Sequence, residues 1–558
     1  MKKRNLIVVL AMMCNIAMLA QNENGNNGQE QNNGNRKERF PGGQGGFPDG
    51  QNRFNGEQSD VQNRQGGFPG FPGGGFPFGP GGQNDQGFPG GFPGGPGGFP
   101  FGPGMMDFKA INQFGLEFHD GFVDEKDMVV TAADDSTRIY FVENQKFDGK
   151  LTIRYAGNKV KIDGVVPDGV KVKHEGSDVT VVSRGKSMEY VLEGKSDDGY
   201  FHLTSDRPSK VVLNGVDLRS NKRETIDVDG ESVAYIVLSD GSENRLEDRF
   251  TEVIRDTVSM PDPNAKYETE IIEGIEMRKA ENRAKVKLKE PKLDGVIKSD
   301  WTLCFSGHGR LTLKGHNKNG ITSKRDLVFR SGNVISMELT QGKGVSATKD
   351  LRIYGGVLNV DCSDAAKDGI RCDGNMWIDG GWTVVKSSGA ETSEGIEAKY
   401  NLIINGGVVE VASFDDGINS GGNMIIRGGR VFVGSVFNDA LDSNSNLVIS
   451  GGDVTAFGGN MPECGLDANE EERFGLYILG GRVFSMGGMP SRPARESRQG
   501  SVTSYVEKMD SGTVYNVVSD GKVIMSGVSK KSYPMGANVL FSSPKIEAGK
   551  KYDIKVGN

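Results

Sequence analysis

Acidic side chains recur in the second half of the sequence with a spacing that suits an oxygen-liganded metal ion. In four successive copies of a short motif, an acidic residue precedes a Gly or its equivalent. In four copies, beginning one copy later, an acid or amide follows the aliphatic residue after that Gly. The two rows are Asp368, Glu394, Asp416, Asp439 and Glu397, Asn419, Asp442, Asp467. Carboxylate and amide oxygens are the ligands of Ca²⁺, which takes six to eight of them at about 2.3–2.6 Å. Because His and Cys are nearly absent from these rows, a transition metal is disfavoured. A turn role stays open at each position, since Asp and Asn before Gly also bond to local backbone.

Several side chains near these rows have the chemistry to bind a sugar or act on it. Amides and carboxylates bind hydroxyls, aromatic rings stack on sugar rings, and a cation binds a uronate carboxylate. The candidate ligand-binding residues are Lys367, Lys399, Tyr400, Phe414 and Asn419, with Trp382 and Phe437 as further aromatic candidates. β-Elimination would also need a base, and Lys399 or Arg371 beside Glu394 and Glu397 fits that role. Packing and plain solvation remain the alternative roles of each side chain.

The element that must position these residues is a repeat. The second Gly of a Gly-Gly, or its equivalent, recurs at 332, 356, 381, 407, 429 and 452, in steps of 22 to 26 residues. An aliphatic column accompanies it at Ile297, Ile321, Val345, Ile370, Ile396, Ile418, Leu441 and Leu466, with a small residue always two positions later. Apolar residues alternate within short runs that end at Gly, so strands are indicated and helices are not. We therefore predict an all-β right-handed parallel β-helix, in which each copy is one coil and equivalent residues stack about 4.8 Å apart.

The rest of the chain divides around this solenoid. Residues 1–20 have the basic and apolar parts of a signal peptide cut before Gln21, and no other membrane-spanning run follows. Residues 21–104, rich in Gly, Pro, Phe, Asn and Gln, read as a flexible spacer and a possible attachment to the cell envelope. We expect a β-rich N-terminal cap or first coils at 105–205, the β-helix at 206–490 with a charged insertion at 255–292, and a C-terminal β cap at 491–558.

Charge and cysteine content exclude other functions. The net charge is −8, and removal of the basic signal peptide makes it more negative, so nucleic acid is an unsuitable partner. An acidic polysaccharide would be repelled as well, unless a cation bridges it to the protein. Cys304, Cys362, Cys372 and Cys464 follow the signal peptide without CxxC spacing, which disfavours a zinc site and leaves their disulfide state open.

The repeats from KDGIRCDGNMWIDGG (367–381) to NDALDSNSNLVISGG (438–452) resemble a bacterial family of secreted carbohydrate-binding parallel β-helix proteins. The resemblance continues in KVVLNGVDL (210–218) and in KSYPMGANVLFSSPKIEAGKKYDI (531–554). It implies a calcium-dependent, pectate-lyase-like architecture that binds acidic, pectin-like polysaccharide. It also implies calcium at Asp368, Glu394, Glu397, Asp416, Asp439 and Asp442. Lys343 and Cys464 replace the acid of their copies and Asn319 is uncharged, so those coils are expected to lack metal.

Three functions follow from these observations. The first is non-catalytic, calcium-assisted binding of acidic polysaccharide at the cell surface, in the periplasm or in the medium. The second is a calcium-dependent lyase that cleaves uronates by β-elimination. The third is a structural surface adhesin whose solenoid only displays its surface.

Overall fold

A computed structural model describes residues 108–123, 137–249, 269–272, 275–278, 294–330, 332–388 and 393–557. The predicted signal peptide, the predicted spacer and most of the predicted charged insertion lie outside these residues. Within them the protein is a parallel β-solenoid with almost no helix, which confirms the predicted fold class.

Each coil contributes three strands, and equivalent strands of successive coils pair in parallel. The first strands, which we call the short-strand column, are Ile226–Gly230, Gly295–Ser299, Asn319–Ser323, Val345–Ala347, Ile370–Cys372, Ile396–Ala398, Ile418–Ser420, Leu441–Ser443 and Leu466–Ala468. The middle column is Ala234–Leu238, Leu303–Gly307, Leu327–Phe329, Leu351–Ile353, Met376–Ile378, Leu402–Ile404, Met424–Ile426, Leu447–Ile449 and Leu476–Ile478. The long-strand column is Glu243–Asp248, Arg310–Gly315, Val334–Leu339, Val357–Cys362, Trp382–Ser387, Val408–Ser413, Arg430–Ser435, Asp453–Phe457 and Arg482–Gly487.

The strand register stacks the columns that the sequence predicts. Ile370 pairs with Ile396, Ile396 with Ile418, and Ile418 with Leu441, and all four side chains are fully buried. These aliphatic rows form one continuous core along the solenoid. Alternate residues therefore point outward, so Glu397, Asn419 and Asp442, which each follow one of these aliphatic residues, lie on the outward side of the short strands.

Two polar features hold the turns. The serines that end some short strands bond to carbonyl groups of the turns, as Ser420 Oγ does to Tyr400 O in the preceding coil at 2.8 Å. An asparagine ladder that the sequence analysis did not identify follows them, in which each side-chain amide bonds to the one in the previous coil: Asn375, Asn401, Asn423 and Asn446. Because every such amide finds a partner in the next coil, the ladder reinforces the register of the acidic rows beside it.

Glycine is required where each coil turns into its long strand. Gly429 has φ +84°, and a Cβ there would lie 2.6 Å from the carbonyl oxygen of Gly407 in the coil below. Both the left-handed backbone and this close stacking exclude a side chain. The second Gly of Gly-Gly thus marks the turn into the long strand in each repeat.

Strands before and after these coils complete the described chain. The N-terminal strands are Gly149–Ala156, Lys159–Asp163, Val170–Glu175, Asp178–Ser183, Met188–Ser196, Tyr200–Ser205 and Ser209–Ser220. Parallel pairing already begins among them, between Gly149–Ala156 and Met188–Ser196. At the other end, Ala537–Ser542 pairs antiparallel with both Arg482–Gly487 and Ser501–Val506. Lys522–Val528, Val514–Ser519 and Asp553–Val556 form a separate antiparallel sheet.

The remaining elements are short. Thr269–Ile272 and Ile275–Arg278 form a hairpin within the predicted insertion. The 3₁₀ helices are Phe108–Phe114, Arg138–Tyr140, Val142–Asn144 and Glu470–Glu472. Among the residues described, no helix is long and apolar enough to cross a membrane.

Candidate functional site

The two acidic rows lie side by side on the outer surface of the short-strand column. Strand pairing stacks Glu397 on Asn419, Asn419 on Asp442, and Asp442 on Asp467. In the adjoining turn, the backbone N–H of Asp439 donates to Asp416 Oδ1 at 3.1 Å. Residues far apart in the chain are thus neighbours here because equivalent positions of successive coils are superposed.

The first part of the rows, Asp368, Glu394 and Glu397, is balanced by cations of the protein. Lys343 Nζ reaches Asp368, and Lys399 Nζ reaches Glu397. Arg371 Nη1 lies 2.9 Å from Glu397 Oε2 and 3.5 Å from Asp368 Oδ2. Lys343, which replaces an acid in its own copy of the repeat, thus serves the coil above. Three cations thus pair with two carboxylates, Asp368 and Glu397.

Proton sharing completes the balance of this first cluster. Burial, followed by the hydrogen bond and charge of Asp368, raises the pKa of Glu394 to about 8. At Asp368, burial acts to raise the pKa. The hydrogen bond from Glu394 and the charges of Lys343 and Arg371 outweigh burial, so the pKa of Asp368 is lowered. Protonated Glu394 therefore donates to ionised Asp368 near neutral pH.

The second part of the rows has no such compensation. We call Asp416, Asp439, Asp442 and Asp467 the acidic cluster; of the residues described, no Lys, Arg or His forms an ion pair with any of them. Carboxyl oxygens of Asp439, Asp442 and Asp467 lie within 4.8 Å of one another. Asn419 lies between two members and donates to Asp416 at 3.0 Å and to Asp442 at 2.7 Å.

Burial dominates the electrostatics of the acidic cluster. It raises the pKa of Asp416 to about 8, with the charge of Asp442 adding to the effect. Burial and the charge of Asp416 raise the pKa of Asp439 to about 8, against a hydrogen bond from the Cys464 N–H. Burial and the charges of Asp439 and Asp467 raise the pKa of Asp442 to about 7. Near pH 7, the acidic cluster therefore holds protons unless a cation replaces them.

The donor set of the acidic cluster fits calcium. It offers carboxylate oxygens and the Asn419 amide, which are hard ligands, and it contains no histidine. Cys464 Sγ lies 3.9 Å from Asp467, but burial raises the pKa of this thiol, which keeps it protonated and a poor ligand. Of the metal positions inferred from the sequence, Asp439 and Asp442 have carboxyl oxygens within 4.8 Å of each other and of Asp467, and Asp416 is linked to Asp442 through Asn419. Asp368, Glu394 and Glu397 form an equally close group. This group lies among protein cations.

The predicted sugar-binding residues differ in accessibility. Tyr400 is 62% exposed and Lys367 is exposed, whereas Lys399 is paired with Glu397 and Asn419 is held between two carboxyls. Phe414 is only 2% exposed, so its ring is not presented to a ligand. The Phe437 ring stacks on the Phe414 ring, with 5.8 Å between the ring centroids, and is 46% exposed. Phe437 is therefore the ring that a sugar can reach, as had been expected for Phe414. Sequence alone gave no sign of which of the two rings faces solvent.

Trp382 lies on another surface. It belongs to the long-strand column, where it pairs with Val357 and Val408.

The four cysteines are buried and unpaired, so no disulfide links these coils. Glu463, whose pKa burial raises, lies close to the acidic cluster in a turn that departs from the repeat, which is why the column pattern did not reveal it.

Comparison with known proteins agrees with this architecture. The family of carbohydrate-binding domain-containing proteins matches residues 175–267 and 276–464, together just over half of the chain. The chain belongs to this family. Its matched region contains Asp368, Glu394, Glu397, Asp416, Asp439 and Asp442. Carbohydrate binding is thus the general function of these coils.

Other comparisons add little. A search of curated proteins found no match. One solved structure, a gadolinium derivative of the polysaccharide lyase-like protein from C. thermocellum, is 20% identical to this chain. The alignment covers 55% of this chain and 90% of that one, with a TM-score of 0.30.

Proposed function

We propose that this protein is a non-catalytic binder of acidic, pectin-like polysaccharide and that calcium assists the binding. One observation carries the proposal: Asp416 and Asp439 are buried, Asp442 and Asp467 are half-buried, the four carboxyls repel one another, and no described cation of the protein pairs with them. Ionising these groups without a counter-ion is costly in a poorly solvated place. A divalent cation held by oxygen ligands removes that cost.

The same cation would explain how two acidic polymers associate. The chain has a net charge of −8, so a uronate polymer meets repulsion at long range. Calcium held by Asp416, Asp439, Asp442 and Asp467 would supply positive charge for uronate carboxylates at this surface. Exposed Tyr400 and Phe437 supply rings for the apolar faces of the sugars, and Lys367 supplies a further cation.

The geometry supports binding over cleavage. A lyase base must be free to accept a proton from the sugar. Lys399 and Arg371, the two candidates, are both ion-paired with Glu397. Although burial opposes it, the charges of Glu397 and Asp368 raise the pKa of Arg371 further, which disfavours its neutral form. A lyase therefore remains the alternative, tested by the absorbance of unsaturated uronate products.

Binding of polygalacturonate to the full chain, with and without a chelator, tests the proposal. We expect chelator to weaken binding strongly. The double variant Asp439→Asn/Asp442→Asn should bind weakly in either buffer, because it removes two carboxylates from the acidic cluster. Asp240→Asn, which changes a carboxyl that is 89% exposed, is the matched control and should behave as wild type. Chelator-insensitive binding that the double variant retains would refute the proposal.

Location and attachment belong to the same proposal. We infer export through the predicted signal peptide and attachment to the cell envelope through the predicted spacer at 21–104. If the protein is instead a structural adhesin, its solenoid only displays a surface, and we expect it to bind no glycan on an array.

A further inference from the structure

An N-terminal segment crosses the outer surface of the long-strand column, away from the acidic cluster. Its first part, the 3₁₀ helix Phe108–Phe114, is an anchor: Ile111 and Phe114 are each 3% exposed and pack among buried apolar side chains. The Phe114 ring lies edge-on to Phe432, 6.4 Å between centroids, and fills the space beside Gly434. A Cβ on Gly434 would lie 2.4 Å from that ring, so the missing side chain makes room for the anchor.

The second part, residues 115–122, which we call the strap, is held differently. The His119 ring lies parallel to the Trp382 indole, at 4.0 Å and an interplanar angle of 7°. The His119 N–H donates to Asn359 Oδ1 at 3.2 Å, and Asn359 Nδ2 donates to the His119 carbonyl at 2.9 Å. Lys386 Nζ lies 4.5 Å from the centre of the Phe118 ring. At the two ends of the strap, Leu116 packs against the apolar cluster of the anchor and the Arg310 guanidinium lies 4.7 Å from the centre of the Phe122 ring. One indole, one amide and one ammonium thus hold its middle part, residues 118–119.

Asn359, Trp382 and Lys386 form a set of groups suited to an acidic sugar. An indole face stacks on the C–H groups of a pyranose, much as it stacks here on a flat imidazole. A side-chain amide donates to and accepts from hydroxyls, as it does here with a peptide unit. An ammonium group pairs with a uronate carboxylate. The strap also resembles such a polymer in charge, since Glu117 and Asp120 are both acidic and exposed.

The contacts of the strap are weaker than those of the anchor. Gly115, at the junction, has φ +64° and no atom within 4 Å of the position of an added Cβ, so the backbone can turn there. Beyond it, residues 115–119 border a cavity of about 470 Å³ whose other walls include Trp382, Glu410, Arg430 and Lys530. The strap thus borders open space, while Ile111 and Phe114 of the anchor are buried. A competing ligand has to break only the local contacts of the strap.

We propose that Asn359, Trp382 and Lys386 form a second polysaccharide-binding surface, that the strap occupies it in the free protein, and that an acidic sugar chain displaces the strap. The ligand class rests on the proposed function, but the surface uses Lys386 where the acidic cluster uses calcium. Binding at this surface is therefore independent of calcium. The apparent affinity for the sugar equals the intrinsic affinity multiplied by the fraction of molecules in which the strap is detached from this surface.

The test uses the full chain and polygalacturonate in chelator, where the calcium-assisted surface is suppressed. His119→Ala removes the stacked ring, and we expect it to raise the affinity about two- to tenfold, the worth of one aromatic pair. Adding Lys386→Met to His119→Ala should abolish that gain, because the carboxylate then loses its cation. His308→Ala replaces a histidine that is 70% exposed elsewhere and is the matched control.

Hydrogen exchange gives a second readout on the wild-type chain. Saturating oligogalacturonate should speed amide exchange in residues 115–122 and leave residues 108–114 unchanged. Slower or unchanged exchange in the strap, or no gain in affinity on His119→Ala, overturns the proposal of a covered surface. Failure of the proposed function has a different signature, namely wild-type binding that chelator does not weaken. If neither wild type nor His119→Ala binds in any buffer, both proposals fall.

Discussion

Replacing Asp442 with Asn should stabilise the calcium-free protein at neutral and alkaline pH. The folded carboxyl has a pKa raised to about 7 by burial and by Asp439 and Asp467. An unfolded Asp titrates at about 3.9, and each unit of difference is worth about 1.4 kcal/mol, so ionising folded Asp442 at pH 8 costs up to about 4 kcal/mol. Asn cannot ionise, and its side-chain oxygen still accepts the hydrogen bond from Asn419.

The sign of the pH dependence follows from the direction of the pKa change. Because the folded pKa is raised, the favourable contribution of Asp442 is complete below about pH 4 and is lost as the pH rises through about 7. In chelator, the free energy of unfolding of Asp442→Asn minus that of wild type should therefore increase from pH 4 to pH 8. Taking this difference cancels the titration of groups that do not interact with Asp442, such as Glu247, whose pKa is lowered rather than raised.

Urea denaturation of both chains at pH 4, 6 and 8, in chelator and in calcium, measures the effect. Calcium should stabilise wild type at pH 8 and stabilise Asp442→Asn much less, because the variant has lost a ligand. Asp240→Asn should show neither change, since this carboxyl is 89% exposed. If Asp442→Asn loses stability relative to wild type as the pH rises in chelator, the electrostatic reasoning is wrong.

Three further substitutions test the packing around the site. Lys343→Met removes the cation beside Asp368, so urea denaturation in chelator should show a loss of about 2–4 kcal/mol; unchanged stability would contradict the ion pair. Lys531→Met removes a buried ammonium that donates to Ser435 O, Val436 O and Gly458 O, and the unpaired carbonyls should cost about 3 kcal/mol or more in the same assay; greater stability would refute this. Gly429→Ala combines φ +84° with a contact at 2.6 Å, so its urea midpoint should fall further than that of Gly512→Ala, which has similar φ but open space.

Much of the fold could be predicted from sequence because the repeat is local. Period-2 alternation fixes which residues face inward, Gly-Gly fixes where each coil turns, and the constant spacing superposes equivalent positions. The pairing of Asp442 with Asn419 and Asp467 follows directly from those three facts. The asparagine ladder was open to the same reasoning, since Asn375, Asn401, Asn423 and Asn446 also recur at one position.

The candidate site could be predicted only as rows of residue types. Phe414 and Phe437 occupy equivalent positions, yet only one ring reaches solvent, and that depends on how the rings overlap at the end of the stack. The strap could not be predicted from the sequence, because His119 and Asn359 are 240 positions apart and their contact belongs to no repeat. Contacts of that kind are set by the path of the chain over the folded surface, which no local pattern records.

The sequence by itself determined the coils, their register and the two acidic rows, because alternation, glycine turns and constant spacing are properties of neighbouring residues. Only the tertiary structure decided how the charges divide: Lys343, Arg371 and Lys399 neutralise one end of the rows, while no described cation pairs with the acidic cluster at the other end. The reason is physical. The energy of a carboxylate depends on its burial and on which charges lie within a few ångströms, and both quantities exist only once the coils are stacked.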